Sequence, residues 1–465
     1  MPGQDGVRIG VVGAGISGLA TAYFLQKESR RRGVEMQLSL LERSGRLGGV
    51  IRSEKRDGFL LEAGPEGFAA HKPHSRRLVQ ELGLEAAGSE DERRRTFVLR
   101  RGRLAALPEG MMFLWPVRLG AFWRTAPMSR RGRLRALAEP FVPRSRGDLS
   151  IRDFLQRRLG SEFVDQIAEP LIGAVYGGDA NRLSAASTMA DFHRLEQKFG
   201  SLYRGMRWLA RQQAANGGTG PVYLTMPGGM SDLTGALEQR LDGTQVHRNL
   251  KGLILDSTQA PYRLRGRGFE AEFDRLVLCT PAPASARILQ GVLPETAGLL
   301  SEIPYASSRL VYLAYKRSEF SHPLDGFGFI VPPAEEAAMD ACTWVSSKFD
   351  GRCPESAVLL RAAVHQRRGA SLPQDDAGLA ERVHLNLQNI LGISCAPLFQ
   401  RVFQARRSMP QMVLGHAQRL DRIRSGLMSC PGISLGGAYW GGVGIPECIR
   451  TAEEAAAEVL EGLDG

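Results

Sequence analysis

Apolar positions along the chain change their period several times, and the changes mark the elements. Val7-Arg-Ile-Gly-Val-Val12 is a short apolar run between glycines, which predicts a buried strand. Leu19 to Arg32 carries apolar residues at helical spacing and ends in basic residues, as a helix C-terminus prefers. Gly33 punctuates it, and Met36–Leu41 repeats the pattern of a short buried strand. The first forty residues therefore read as a β-α-β unit. Further along, Arg76 to Leu84 predicts a helix and Phe97 to Leu104 a hairpin. Residues 110–215 are mostly of helical period. Strand character returns at Val222–Met226, Gln245–Leu255 and Arg275–Cys279. Residues 309–315, 327–331 and 357–363 predict strands of a second sheet, and Thr451 to Leu463 a closing helix. No internal repeat, low-complexity tract or long linker separates these regions, so the domains are expected to interweave.

With 465 residues the chain is too long for one ordinary core, and two or three domains are expected. No apolar stretch has the roughly 20 residues of a membrane span. The nearest approach, Val7 to Leu25, is broken by Arg8 and four glycines. A basic n-region and cleavage site are missing from its start, so a signal peptide is not expected. Six scattered cysteines (Cys279, Cys342, Cys353, Cys395, Cys430, Cys448) form no C-x-x-C pair. They predict reduced, mostly buried thiols in a cytoplasmic protein and no metal site.

The net charge of +11 is concentrated in one place. Arg93 to Arg146 holds 14 Arg and only two acids, Glu109 and Glu139, so the rest of the chain is close to neutral. Such a patch asks for an anionic partner. The interleaved Met111-Met112-Phe113-Leu114-Trp115 and Phe122-Trp123 suit a membrane surface better than nucleic acid. The alternative is a solvated basic face on a helical subdomain.

Gly13-Ala14-Gly15-Ile16-Ser17-Gly18 lies between the first strand and the first helix. These glycines permit a tight turn and let a pyrophosphate approach the backbone, while the helix N-terminus offers N–H groups to it. Glu42, 24 residues past Gly18, closes the second strand, placed to accept hydrogen bonds from an adenosine ribose. A carboxylate there disfavours a 2′-phosphate, so FAD or NAD is preferred over NADP.

Glu42-Arg43-Ser44-Gly45-Arg46-Leu47-Gly48-Gly49 extends the motif, and Gly436-Gly437-Ala438-Tyr439-Trp440-Gly441-Gly442-Val443-Gly444-Ile445-Pro446 forms a distant second one. Together they resemble the flavin-containing amine oxidase superfamily. Further segments narrow the resemblance to its protoporphyrinogen and coproporphyrinogen oxidases. These are Gly64-Pro65-Glu66-Gly67-Phe68, Glu169-Pro170-Leu-Ile-Gly173-Ala174-Val175-Tyr176-Gly177-Gly178-Asp179, Leu183-Ser184, Met226-Pro227-Gly228-Gly229-Met230 and Gly326–Pro332, in the family's order.

The resemblance implies a Rossmann-type FAD-binding domain interwoven with a mixed-sheet substrate domain and a helical membrane-binding domain, an α/β and α+β architecture. The FAD-binding segments would be 1–92, 216–285 and 405–465. The substrate domain would take 93–109 and 286–404, and the helical domain 110–215. FAD is implied as the cofactor, contacted by Gly13 to Gly18, Glu42, Arg43, Arg46, Gly48, Gly49, Val50, Gly64 to Gly67 (with Pro65 and Glu66), Leu250, Ala438, Val443, Gly444 and Ile445. A helix beginning near Val443–Ile445 would aim its positive end at the flavin N1–C2=O edge. The implied reaction is six-electron oxidation of protoporphyrinogen IX to protoporphyrin IX, three oxygen molecules becoming hydrogen peroxide. Coproporphyrinogen III is the alternative substrate, and an amine or polyene a more distant one. Localisation is expected at the inner face of the cell membrane, and the family is compatible with a homodimer.

A porphyrinogen needs apolar walls and cations at its rim. Phe327, Phe329, Ile330 and Phe349 are candidate walls, Ile330 and Phe349 by resemblance sandwiching pyrrole rings. No side-chain base is demanded, because His193, His247 and His365 have no matched acid nearby in sequence. Two departures from the family stand out. Ala174 occupies a loop position where the family commonly has Gly. Thr96 stands where it has Arg before the aromatic at Phe97, leaving Arg95, one residue earlier, as the candidate propionate partner.

Overall fold

The structure, a computed structural model, describes residues 6–90, 95–107, 111–112, 115–116, 120, 122–123, 128–215, 220–365 and 372–461. Its first layer is a five-stranded, fully parallel sheet. The strand order is Gln245–His247, Met36–Leu41, Val7–Val12, Arg275–Leu278, Ile433–Leu435. Both faces are covered, which is why these strands read as unbroken apolar runs. On one face pack the helices Ile16–Arg32, Ser231–Gln239 and Ile445–Glu461, and Leu19, Leu25, Leu233 and Ile449 are buried there. On the other lie a three-stranded antiparallel sheet (Ile254–Leu255, Tyr262–Gly266, Phe269–Phe273) and the helices Ala282–Leu289, Pro294–Ser301 and His416–Leu427.

The second layer is a seven-stranded mixed sheet in the order Phe399–Pro410, Tyr305–Lys316, Ala357–His365, Ala341–Trp344, Gly328–Ile330, Thr96–Arg100, Arg103–Ala106. Only the pair Gly328–Ile330 and Thr96–Arg100 is parallel. Pleat alternation gives this sheet two faces. Val358, Leu360, Ala362 and Val364 pack under the helix Asp376–Leu391, together with Val311, Leu313, Phe329 and Trp344. Ala357 and Leu359 point the other way, joining Leu310, Tyr312, Phe59 and Leu61. That second face looks toward the cofactor domain.

The third unit is helical, with Arg130–Leu137, Ile151–Leu159, Glu169–Tyr176, Ala190–Phe199 and Leu202–Ala215 as its main members. Its apolar core includes Phe122, Phe154, Phe163 and Ile172. A buried Arg158 sits between Glu139 and Glu196, all three side chains without exposure. Those carboxylates also accept from Ser145 N–H at 2.6 Å, Ser201 Oγ at 2.6 Å and Leu202 N–H at 2.8 Å. Among the described residues no helix is long and apolar enough to cross a membrane.

The expected β-α-β unit and second sheet are present, with three adjustments. Gln245–Leu255 is two strands in different sheets, because Asn249 adopts φ +62° between them. The boundary expected at 404/405 falls inside the strand Phe399–Pro410, which stays in the substrate sheet. The helices at 282–301, split by the boundary at 285/286, both pack on the cofactor sheet. Part of the basic stretch, including Arg93, Arg94, Phe113, Leu114, Arg118 and Arg124, lies outside the described residues. Within it, Phe122 is core rather than surface, whereas Trp123 is exposed.

Candidate flavin and substrate site

The cofactor cradle is built by close backbone approach. Gly13 has φ +96°, the turn that only glycine adopts without strain. The helix Ile16–Arg32 begins at Gly15 with no side-chain cap on its first turn, as phosphate binding requires. Gly48 N–H donates to the Ala14 carbonyl at 2.8 Å, and a Cβ on Gly49 would stand 2.9 Å from Gly15 Cα. Ser17 and Ile16 are buried in the same helix turn, and Val50 is exposed beside the glycine pair.

Glu42 closes the strand Met36–Leu41, and its carboxylate accepts from Ala14 N–H at 2.9 Å and Ser44 N–H at 2.7 Å. It thus stands between the phosphate turn and the next loop, where a ribose diol would meet it. Leu250 N–H donates to the Glu42 carbonyl at 2.9 Å, which brings Leu250 to the same end of the sheet. Arg43 is exposed there. The Arg46 guanidinium, expected to face the pyrophosphate, instead folds over its own loop. It donates to the carbonyls of Leu47 and Ile51 at 3.2 Å and of Gly49 at 2.5 Å, bracing the glycine turn.

Gly64 and Gly67 also mark contacts no side chain would allow. A Cβ at Gly64 would lie 2.1 Å from the Val50 carbonyl oxygen, and one at Gly67 2.5 Å from that of Leu224. Between them, past Pro65, the Glu66 side chain turns toward the substrate sheet and pairs with Lys348 and, at 3.1 Å, with Arg361. Burial pushes its carboxyl up, but the two cations outweigh it and hold its pKa at about 2. Arg361 also donates to the Gly64 carbonyl at 2.6 Å. Next to this pair, Arg352 meets Glu62 at 3.2 Å, and Met230 N–H donates to Glu62 at 2.8 Å. Burial raises the Glu62 pKa.

At the C-terminal motif, Gly437 and Gly442 have φ +105° and +131°, on either side of the short helix Ala438–Gly441. The long helix then starts at Ile445, so Val443 and Gly444 precede its first turn. Tyr439 is buried and Trp440 packs against the same core, their rings 6.4 Å apart and T-shaped.

The inner face of the substrate sheet carries the candidate walls. Val98, Ile330, Ala341, Ala363 and Leu310 form one row across paired strands. Thr96, Gly328, Thr343, Arg361 and Tyr312 form the next. Ile330 therefore faces the cofactor side. Phe329 does not: it is buried beneath the helix Asp376–Leu391 and cannot be a wall. Phe349 lies 3.4 Å from the Cβ position of Gly67, which joins it to the cofactor loop. Lys348 Nζ sits 5.2 Å from the Phe349 ring centroid, 5.8 Å from Phe327 and 4.4 Å from Tyr223. Arg95 points to the surface, paired with Asp325 at 3.0 Å. The cation missing at Thr96 has a counterpart in its own row, Arg361.

Ala174, expected in a loop, belongs to the helix Glu169–Tyr176, which packs on the strands of Ile330 and Arg361. A helical backbone accepts alanine without strain, so glycine is not required there. The helix ends in left-handed Gly177, against which the His365 ring lies. His365 is not alone, since Asp340 is 3.2 Å from its Nδ1 and accepts from its N–H at 2.9 Å. Long-range sheet pairing makes this dyad, which no local spacing reveals. Arg361 did carry a signal, being the sole charge in the apolar run Ala357–Val364.

The whole arrangement matches known proteins along its length. The model of the flavin containing amine oxidoreductase family matches residues 16–460. The chain belongs to this family. A coproporphyrinogen III oxidase of Bacillus subtilis (strain 168) is 31% identical over 460 residues, covering 97% of each chain. A coproporphyrinogen III oxidase of Propionibacterium freudenreichii is 31% identical and covers 99% of this chain and 92% of its own. A solved structure from Exiguobacterium sp. 255-15, provisionally named a protoporphyrinogen oxidase, has a TM-score of 0.85 at 27% identity and covers 99% of this chain and 100% of that one. The protein is thus a flavin-dependent oxidoreductase of the porphyrinogen oxidase family, and FAD is its cofactor. The glycine cradle, the uncapped helix and Glu42 fit that cofactor.

Proposed function

We propose that the protein oxidises coproporphyrinogen III to coproporphyrin III, removing six electrons and passing them to three molecules of oxygen to give three of hydrogen peroxide. The observation that carries this reading is the seam between cofactor loop and substrate sheet. There the loop Gly64–Gly67 touches Phe349, and Lys348 and Arg361 stand immediately behind. Apolar walls against a macrocycle are what a porphyrinogen demands, and Lys348 and Arg361, paired with Glu66, brace that wall from behind. The resemblance put protoporphyrinogen first and coproporphyrinogen III as the alternative. The relatives named for coproporphyrinogen III, both at 31% identity, support the four-carboxylate substrate instead.

Bound FAD supplies the two-electron acceptor for each step. The chain's own work is positioning. Ile330 and Phe349 hold the ring faces, the helix Glu169–Tyr176 closes the pocket over them, and its end is clamped by His365 below Gly177 and by Gln411 Nε2 donating to the Tyr176 carbonyl at 3.0 Å. Buried walls also exclude water from the reacting carbon. The test is anaerobic mixing with each porphyrinogen, followed by admission of air. Flavin bleaching and porphyrin fluorescence with coproporphyrinogen, at several times the kcat/KM for protoporphyrinogen, is the expected result. Bleaching by protoporphyrinogen alone would replace the substrate, and bleaching by neither would end the porphyrinogen reading.

We further propose peripheral contact with an anionic membrane on its cytoplasmic face, through the helical unit. Phe141 is 87% exposed and Leu134 59%, with exposed Arg130, Arg131, Arg144 and Arg146 on the same segment. Exposed apolar side chains among arginines suit lipid head groups. Co-sedimentation with anionic but not neutral vesicles, lost in Phe141→Glu plus Leu134→Glu, is expected. Equal recovery in the supernatant with both would remove this contact.

A further inference from the structure

One cluster of charges joins the cofactor domain to the helical unit and has no part in the substrate walls. Glu447 stands in the first turn of the helix Ile445–Glu461, and its side chain curls back over the turn before it. A Cβ on Gly444 would lie 2.3 Å from Glu447 Oε2, and one on Gly442 2.7 Å from its Cγ. The carboxylate thus covers the N-terminal backbone that the flavin motif presents. A carboxylate at that position is favoured by the helix dipole. Lys72 Nζ reaches Glu447 at 3.0 Å from the segment after the Gly64–Gly67 loop, and the same ammonium pairs with Asp191 of the helical unit at 2.5 Å. Lys72 and Glu447 are only 27% and 25% exposed, so solvent screens them incompletely. Burial, and after it the same two carboxylates, raise the pKa of the Tyr176 phenol, at the end of the helix Glu169–Tyr176, to about 12. Cofactor helix and helical unit therefore meet at one ammonium.

We propose that Lys72, shared between Glu447 and Asp191, sets the charge at the N-terminus of the cofactor helix and so tunes how readily the bound flavin accepts electrons. The physical argument is a competition. Reduction places negative charge on the flavin. A flavin bound against the glycine motif before this helix would have that charge stabilised by the positive helix end and opposed by the Glu447 carboxylate at the same end. Lys72 offsets Glu447, and Asp191 draws part of that offset away. The helical unit therefore acts on the flavin through one residue. The inference rests on the FAD site alone and is independent of which porphyrinogen is oxidised.

The test is a dye-coupled reductive titration of the purified holoenzyme and four variants, with FAD content measured beside it. Glu447→Gln should move the midpoint potential positive, Asp191→Asn positive by less, and Lys72→Met negative. Lys72→Arg, which keeps the charge, should stay with the wild type. A merely structural ion pair predicts otherwise, since breaking it from either side loosens the same contact. Shifts of Glu447→Gln and Lys72→Met in the same direction, or potentials equal to wild type, would overturn the proposal. If Lys72→Met loses its flavin, the comparison rests on Glu447→Gln and Asp191→Asn. Both carboxylate-removing variants must then move positive, and failure of either rejects the idea.

Discussion

Glu66→Gln is the perturbation that most directly probes the seam between cofactor loop and substrate sheet. The substitution keeps the shape and removes the charge. It leaves Lys348 and Arg361, whose side chains are 12% and 14% exposed, without their shared counter-ion. The native carboxyl is held at about 2, against an ordinary value of 4.5. A difference of that size corresponds to about 3 kcal/mol of stability at neutral pH. The same magnitude, about 3–5 kcal/mol, follows from breaking a buried pair from one side. The sign with pH is fixed. The folded-state value is depressed, so the contribution is complete above the unfolded value, near 4.5, and is lost as pH falls toward 2. Urea denaturation of wild type and variant at pH 7, 5 and 3.5 measures it. The variant should be weaker by about 3 kcal/mol at pH 7 and 5, and the gap should narrow at pH 3.5. A gap below about 1 kcal/mol at pH 7, or one unchanged at pH 3.5, would refute the reasoning.

Gly49→Ala places a methyl 2.9 Å from Gly15 Cα at φ +61°, so FAD affinity should fall by at least about tenfold, read by flavin release on gel filtration. Glu42→Ala removes the acceptor beside the phosphate turn and should weaken FAD by about 1–2 kcal/mol, measured by titrating apoprotein with FAD. Arg158→Met leaves Glu139 and Glu196 buried without their cation, and should cost about 3–5 kcal/mol of helical-unit stability, seen as earlier proteolysis within residues 128–215. Phe329→Ala should destabilise by about 3–5 kcal/mol while leaving KM within about twofold, because its ring lies in the core beneath the helix Asp376–Leu391.

Much of the cofactor side was legible in the sequence, for a local reason. The strand Val7–Val12, the glycine turn, the helix and the acid at Glu42 succeed one another within about forty residues, so spacing alone constrains their geometry. Even there, Arg46 misled: a guanidinium in a glycine loop has carbonyl acceptors as near as any phosphate, and it takes them. The substrate side was legible in part. Its strands were visible, but which face each residue takes depends on pairing across hundreds of positions. Phe329 and Ile330 are neighbours with opposite fates for that reason. The Asp340–His365 and Lys72–Glu447 pairs were invisible because their members come from separate segments that only the fold brings together. Ala174 was misplaced because glycines around it imitate a loop, while Gly177 is in fact the left-handed cap that ends a helix.

Charges collect where the interwoven units meet, and the reason is geometric. Each unit spends its apolar faces on its own core, as the separate clusters under the cofactor sheet, the substrate sheet and the helical unit make plain. The seams between them border the site of a polar cofactor, so they cannot be closed with apolar surface alone. Directional ion pairs serve there: Glu66 ties Lys348 and Arg361 of the substrate sheet to the loop Gly64–Gly67, and Lys72 ties Asp191 of the helical unit to Glu447 of the cofactor helix. Both ties pair a residue of the early segment 62–72 with residues far along the chain. That short segment is consequently where the positions of cofactor, substrate wall and helical unit are set against one another. A substitution there should disturb flavin retention and substrate KM together, whereas one in any single core should disturb stability without changing the ratio of the two.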